Sequence, residues 1–291
     1  MITEKLNAQC ISCLLDKHLE SAPEDFPSCK KTEYMQGILK IIGNANIGMS
    51  APEIVEQIES FKQSFGITSD FSQIKSFYNQ LMLSFEKEIE VKIENSENPL
   101  KTAVKYAMAG NYIDFGAMKS VDEQKLKETL ENADKITIKK TEFERFEKEI
   151  NTARNIVYLT DNCGEIVLDK LLIRQISRLN GKAKINVIVR GEPVLNDCIV
   201  EDAKQTGLDK LATVIGNGTR IAGTCLDKIS SSAKDLIDNA DIIISKGQGN
   251  FETLRFCGKN IYYLFLCKCK MFAERFKVNR FEGIFINDKR M

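Results

Sequence analysis

The 291-residue sequence has no tryptophan, one histidine and no long apolar run. The lone histidine, His18, excludes any metal site built from several imidazoles. It also leaves a Ser-His-Asp triad a single residue to rest on, in a charged helical segment. No apolar stretch approaches the ~20 residues needed to span a bilayer. The opening residues MITEKLNAQCISCLL carry early charge and lack the apolar h-region of a secretory signal, so a cytoplasmic protein with no membrane partner is expected. Net charge is absent too: Lys+Arg and Asp+Glu both number 41. A global basic field for non-specific nucleic-acid binding is therefore missing. Neither a GxGxxG after the first expected strand nor Walker A spacing is present, which weakens dinucleotide-binding and P-loop readings.

Charged residues make up 28% and hydrophobic ones 43%, an ordinary globular balance with room for one or two domains. Nine cysteines without a secretion signal indicate reduced thiols. Four form close pairs, Cys10/Cys13 and Cys267/Cys269. The first has the spacing of half a zinc site or a redox pair. The second does not, and small buried residues are the slightly favoured reading of both.

Residues 1–150 read as mostly helical, with apolar residues spaced three and four apart in windows such as 33–42, 53–62 and 71–92. Ser50-Ala51-Pro52-Glu53 is a helix start with Ser50 as cap. From about 155 the pattern changes. Short apolar runs at 155–160, 185–190, 211–215, 240–245 and 261–266 alternate with helical stretches, and 283–286 is a candidate edge strand. This alternation predicts a Rossmann-like α/β fold with a mostly parallel, doubly wound sheet. The expected division is a helical N-terminal domain, 1–150, and an α/β domain, 151–291.

Parallel strands share an orientation, so their C-terminal ends lie along one edge, where ligands bind in such sheets. The first strand delivers Asp161 and Asn162 there. The second delivers Arg190, Gly191 and Glu192, followed by Asn196 and Asp197. The fourth delivers Lys246, Gly247, Gln248, Gly249 and Asn250. Hard carboxylate and amide oxygens suit a divalent ion, and a lysine with glycine N–H groups suits phosphate. Taken alone, each element has a plainer reading. Asp161 is equally a helix cap or a nucleophile, Asn196-Asp197 a turn, and Lys246–Gly249 a simple loop. In 106–116, YAMAGNYIDFG, Asn111 marks a helix end and Asp114 a cap or a cleft residue.

Together TDNCGE, RGEPVLND, SKGQGNFE and AGNYIDFG resemble the DUF89 family, the damage-control phosphatases with an ARMT1-like metal-binding domain. The resemblance is closest to its short prokaryotic and archaeal branch with an N-terminal CxxC. It implies a metal-dependent phosphatase acting on phosphomonoesters of small metabolites, such as sugar phosphates or damaged phosphometabolites. Carried over, the metal ligands are Asp161, Asn162 and Asp197, for Mn²⁺, Co²⁺, Ni²⁺ or Mg²⁺. Lys246 is the phosphate-binding lysine, with Gly247 beside it, and Asp161, Asp197 and Lys246 are the catalytic residues. Asn111, Asp114, Arg190 and Glu192 fall on cleft positions. Two departures stand out: Cys163 replaces the usual alanine or serine, and Cys267-Lys268-Cys269-Lys270 replaces the commoner Lys-Cys-Pro. Two alternatives remain. One is an S-adenosylmethionine-dependent carboxyl methyltransferase, which DNCGE after the first strand and Arg190 after the second disfavour. The other is a non-catalytic metal- or thiol-binding module built on the cysteine pairs. The oligomeric state is not legible.

Overall fold

The computed structural model describes residues 5–116 and 121–291. Seven helices precede the first strand among them: α1 (Ala8–Glu20), α2 (Ser28–Asn44), α3 (Ala51–Ser64), α4 (Ser72–Glu94), α5 (Pro99–Gly110), α6 (Glu123–Glu131) and α7 (Lys140–Thr152). Strands and helices then alternate: β1 (Asn155–Leu159), α8 (Glu165–Leu179), β2 (Lys184–Val189), α9 (Val200–Thr206), β3 (Thr213–Gly216), α10 (Ser231–Asp238), β4 (Ile242–Lys246), α11 (Gln248–Leu254), β5 (Ile261–Leu266), α12 (Lys270–Phe276) and β6 (Gly283–Asn287). The sheet runs β3-β2-β1-β4-β5-β6. Its first five strands in that order are parallel and β6 is antiparallel to β5, which makes 283–286 the edge strand expected of it. The expected Rossmann-like, doubly wound α/β architecture is the one observed. None of the described helices is long and apolar enough to cross a membrane.

The two-residue period of β1 explains the layering. Ile156 and Tyr158 face one layer, and Val157 and Leu159 the other. On the second side α10, α11 and α12 cover the sheet through Ala233, Ile237, Phe251, Leu254 and Phe272. On the first side α8 lies against the sheet, nearly all of its residues are buried, and α4 and α5 pack over it. A helix apolar on nearly every side needs such double cover. Charge fixes how α4 and α8 meet. Glu86, Glu90 and Glu94 pair with Lys170, Arg174 and Arg178, each set spaced by four residues. The matched spacing aligns one stripe of each helix in parallel.

The boundary expected at 150/151 does not divide the hydrophobic core. One continuous core runs from Tyr78 and Met82 on α4, through Phe146 and Ile150 on α7, to Tyr158, Ile244 and Phe285 on the sheet. Only α1–α3 pack among themselves, around Tyr34, Ile38, Ile54 and Ile58. Helical periodicity reports that a face is buried, not what buries it, so the helices covering the sheet read like those of the separate bundle. Within that bundle the Ser50 capping box forms, with the Ser50 N–H donating to Glu53 Oε2 at 2.8 Å.

His18 is buried in the same bundle, and neither ring nitrogen has a hydrogen-bond partner among the described residues. Burial, and then the charges of Lys62 and Lys17, push its pKa down to about 4. The folded state therefore favours the neutral ring. Its contribution to stability is complete above the unfolded value near 6.5 and is lost as pH falls towards 4. His18→Leu is expected to flatten the pH dependence of the urea midpoint between pH 6.5 and 4. An unchanged slope would contradict this.

Candidate active site

β1 and β4 are neighbours in the sheet, yet the chain leaves them towards opposite edges. The gap beyond their C-terminal ends is the switch point where open α/β sheets place ligands. Asp161 and Asn162 follow β1 directly. An isolated antiparallel bridge joins Asn162 to Asp197, and the Cys198 N–H donates to Asp161 O at 2.7 Å. The loop after β1 is thereby stitched to the loop after β2, and Asp197 stands beside Asp161.

Arg190, at the end of β2 and only 1% exposed, ties the two carboxylates together. Its Nε donates to Asp197 Oδ2 at 2.7 Å, one terminal nitrogen to Asp161 Oδ1 at 3.3 Å, and the other to Asn250 Oδ1 at 3.0 Å. Asn250 is itself locked, its amide donating to the carbonyls of Thr160 and Lys246 and its oxygen accepting also from the Thr224 hydroxyl. Asp161 Oδ2 accepts from Asn162 Nδ2 at 2.7 Å and from Asn111 Nδ2 at 3.0 Å. Gly247 closes the wall. Its φ is +79°, and a Cβ there would lie 2.0 Å from Asp161 Oδ2. Only glycine permits both the backbone conformation and the close approach.

Lys246 does not line the cleft. It is the last residue of β4 rather than the first of the following loop, so it shares a face with Ile242 and Ile244 and points into the layer beneath α8. There it is fully buried and donates to Glu165 Oε1 at 2.5 Å, to Asp169 Oδ1 at 2.7 Å and to Ala107 O at 2.8 Å. All three ammonium protons are committed. Asn111 is equally spent. Its amide donates to Asp161 and Glu165, and its oxygen accepts from the Leu266 N–H at 3.0 Å. The expectation that Lys246 and Asn111 contact substrate is corrected: both lie behind the cleft. Glu192 is exposed on the turn after β2, and among the described residues no hydrogen bond or ion pair reaches its carboxylate. It is not brought into the cluster.

Asp114 stays at the site. Asn196 holds its segment, accepting from the Phe115 N–H and donating to Ile113 O. Its carboxylate receives Lys268 Nζ at 2.5 Å. Lys268, Glu165, Asp169 and Asn250 were not assigned roles from the sequence. A signal for two of them existed: Glu165 and Asp169 are four apart on a helix otherwise apolar on that face, and carboxylates buried in this way need a cation. The second cysteine pair flanks Lys268, and the Cys269 N–H donates to Gln248 Oε1. Cys10 and Cys269 are half-buried, and burial pushes both thiols up, away from the thiolate form a metal takes.

The charges of the cluster do not balance. At the switch point Asp161 and Asp197 share Arg190, and behind them Glu165 and Asp169 share Lys246, a formal surplus of one carboxylate at each cation. Burial, then Asp197 and Glu165, push the Asp161 carboxyl well up, and Asp197 is pushed up to about 6, chiefly by burial. No three His, Cys, Asp or Glu side chains form a closed cage among the described residues. Two carboxylates and the Asn162 amide oxygen form an open set of hard donors. That set fits an ion such as Mg²⁺, which uses few carboxylates and keeps waters or phosphate oxygens as its other ligands.

The protein is thus a Rossmann-like α/β protein with Asp161, Asn162 and Asp197 gathered at the switch point of its sheet. The chain belongs to the damage-control phosphatase ARMT1-like domain family, whose model matches residues 6–284. A relative from Archaeoglobus fulgidus, named a damage-control phosphatase, is 30% identical over 294 residues, covering 94% of this chain and 96% of that protein. Damage-control phosphatase PH1575 of Pyrococcus horikoshii is 41% identical over 179 residues, a match spanning 60% of this chain and 61% of that protein. The crystal structure of that DUF89 family protein superposes with a TM-score of 0.76 at 28% identity, covering 97% of this chain and 99% of the other.

Proposed function

We propose that the chain is a metal-dependent phosphatase that hydrolyses phosphomonoesters of small metabolites. The observation that carries this is the gathering of Asp161, Asn162 and Asp197 at the switch point, where two buried carboxyls share Arg190 as their counter-charge. The names of the relatives support the phosphatase class. Asp161, Asn162 and Asp197 would hold Mn²⁺, Co²⁺, Ni²⁺ or Mg²⁺. When bound, such an ion polarises a phosphoryl oxygen and lowers the pKa of a coordinated water.

The chain's own residues do the rest. Arg190 fixes the separation of Asp161 and Asp197, and Asn250 fixes Arg190. Asp114 presses on the carboxyls of Asp161 and Asp197, which puts its partner Lys268 beside the same cluster. Lys246 spends its three protons on Glu165, Asp169 and Ala107 O, whereas Lys268, also buried, is paired with Asp114, so Lys268 is the lysine suited to meet a phosphoryl group, exchanging Asp114 for it. Gly247 leaves room at Asp161 for the backbone after β4.

Chelated protein resupplied in turn with Mn²⁺, Co²⁺, Ni²⁺ and Mg²⁺ is expected to hydrolyse p-nitrophenyl phosphate. Asp161→Ala is expected to lose at least ~10³-fold of that activity, about 4 kcal/mol of transition-state stabilisation. Full metal-dependent activity in Asp161→Ala would sink the reading. S-adenosylmethionine binding without metal-dependent hydrolysis would favour the methyltransferase instead.

A further inference from the structure

Glu165 touches neither the open cleft nor, in the reading above, the metal. It is fully buried in the first turn of α8, yet its carboxylate is the most heavily used in the protein's core. Oε1 accepts from Lys246 Nζ at 2.5 Å and from Asn111 Nδ2 at 3.2 Å. Oε2 accepts from Asn111 Nδ2 at 2.9 Å, from Asn162 Nδ2 at 3.1 Å and from the Asn162 backbone N–H at 3.4 Å.

We propose that Glu165 is a positioning residue that sets which way the Asn162 amide faces, with Lys246 as its buried counter-charge. The proposal rests on the metal-dependent reading. An Asn side chain has two orientations, related by a flip, that are nearly identical in shape and differ only in hydrogen bonding. An ionised carboxylate only accepts. Asn162 Nδ2 lies between two accepting carboxyl oxygens, 2.7 Å from Asp161 Oδ2 and 3.1 Å from Glu165 Oε2. The flipped amide would press its oxygen against both. The pair therefore holds Nδ2 inward and leaves Oδ1, the hard donor, as the atom free for a ligand. Asn111 is held in the same way, its Nδ2 between Asp161 Oδ2 and Glu165 Oε2 and its oxygen on the Leu266 N–H. Lys246 supplies the charge that lets a carboxylate sit in this interior.

Asp169 separates this role from ordinary core stability. It shares Lys246 with Glu165 and accepts from the Tyr158 hydroxyl at 2.7 Å, but its hydrogen bonds do not include either amide.

The test is Mn²⁺ titration of chelated protein by calorimetry, on the wild type and three variants. Glu165→Gln keeps one acceptor oxygen, so its NH₂ must oppose either the Asn162 and Asn111 amides or the Lys246 ammonium, and it is expected to raise the Mn²⁺ Kd by ~10–100-fold, the usual cost of losing a residue that orients a ligand. Glu165→Asp keeps the charge for Lys246 but withdraws the carboxylate from the amides. It guards against a poorly folded Gln variant and is expected to weaken Mn²⁺ at least ~10-fold by the same loss of orientation. Asp169→Asn is expected to lower the unfolding midpoint while leaving the Mn²⁺ Kd within about threefold, because ligand orientation is untouched. Wild-type affinity in both Glu165 variants, or equal weakening in Asp169→Asn, would overturn the positioning role and leave the phosphatase reading standing. Failure of the wild type to bind any of the four metals would overturn both.

Discussion

Gly247→Ala is expected to lower kcat/KM for phosphomonoester hydrolysis by at least ~100-fold while leaving a folded protein, because misplacing a reacting group by about 1 Å can cost that much. The added methyl would stand 2.0 Å from Asp161 Oδ2 and 2.1 Å from its Cγ, at a φ of +79°. The β4–α11 connection and the Asp161 carboxylate cannot both keep their places. With ψ at 158° this φ lies in a region that is essentially confined to glycine, a strain on the order of 1–3 kcal/mol, within the reserve of a domain of this size. The loss should therefore appear in catalysis and metal binding rather than in folding. Steady-state kinetics with a parallel urea melt measure both. Activity within threefold of wild type would show that the loop yields without moving Asp161.

Lys246→Met is expected to destabilise the fold by ~3–5 kcal/mol, the cost of stranding buried carboxylates after their cation is removed. Glu165 and Asp169 both lean on this ammonium, and neither has solvent to turn to. The deficit should shrink in acid. The Asp169 carboxyl is pushed up to about 6 by burial even with Lys246 opposing it. Removing the cation raises it further, so the folded variant gains a proton that the unfolded chain, titrating near 3.9, has not yet taken. Stability relative to wild type should then recover as pH falls from the variant's raised carboxyl pKa towards 6 and level off below it, measured by urea unfolding across pH 8 to 5. A lysine that only contacted phosphate would cost activity and leave the melt unchanged.

These two residues show how far the chain could be read without its structure. Gly247 and Asp161 are separated by three crossovers, and nothing local says that one backbone touches the other's carboxylate. Lys246 turned on one residue. With β4 ending at 245 the lysine begins a loop and faces ligand; with β4 ending at Lys246 it faces the core. Strand ends carry little periodic signal, so side-chain direction there is decided by which neighbour offers a partner. Glu165 and Asp169, presented on one face of α8, settle it. Asn111 was misread for a related reason. Its helix-end position was legible, but the partners that consume it, Asp161 and Glu165 on one side and Leu266 on the other, come from two segments far from it in the chain.

The sequence by itself determined the parallel sheet, its edge strand and the edge on which Asp161, Asn162 and Asp197 gather. The two-residue and 3.6-residue periods of apolar side chains are local properties, and parallel strands must deliver their C-terminal ends to one side. Tertiary structure alone decided that α4–α7 share the core of the sheet rather than that of α1–α3, because amphipathicity marks a buried face without naming its partner. It alone decided which polar side chains face the cleft and which are spent behind it. Those assignments follow from pairing charges and amides across distant segments, where one unmatched buried carboxylate costs more than any local preference can offset.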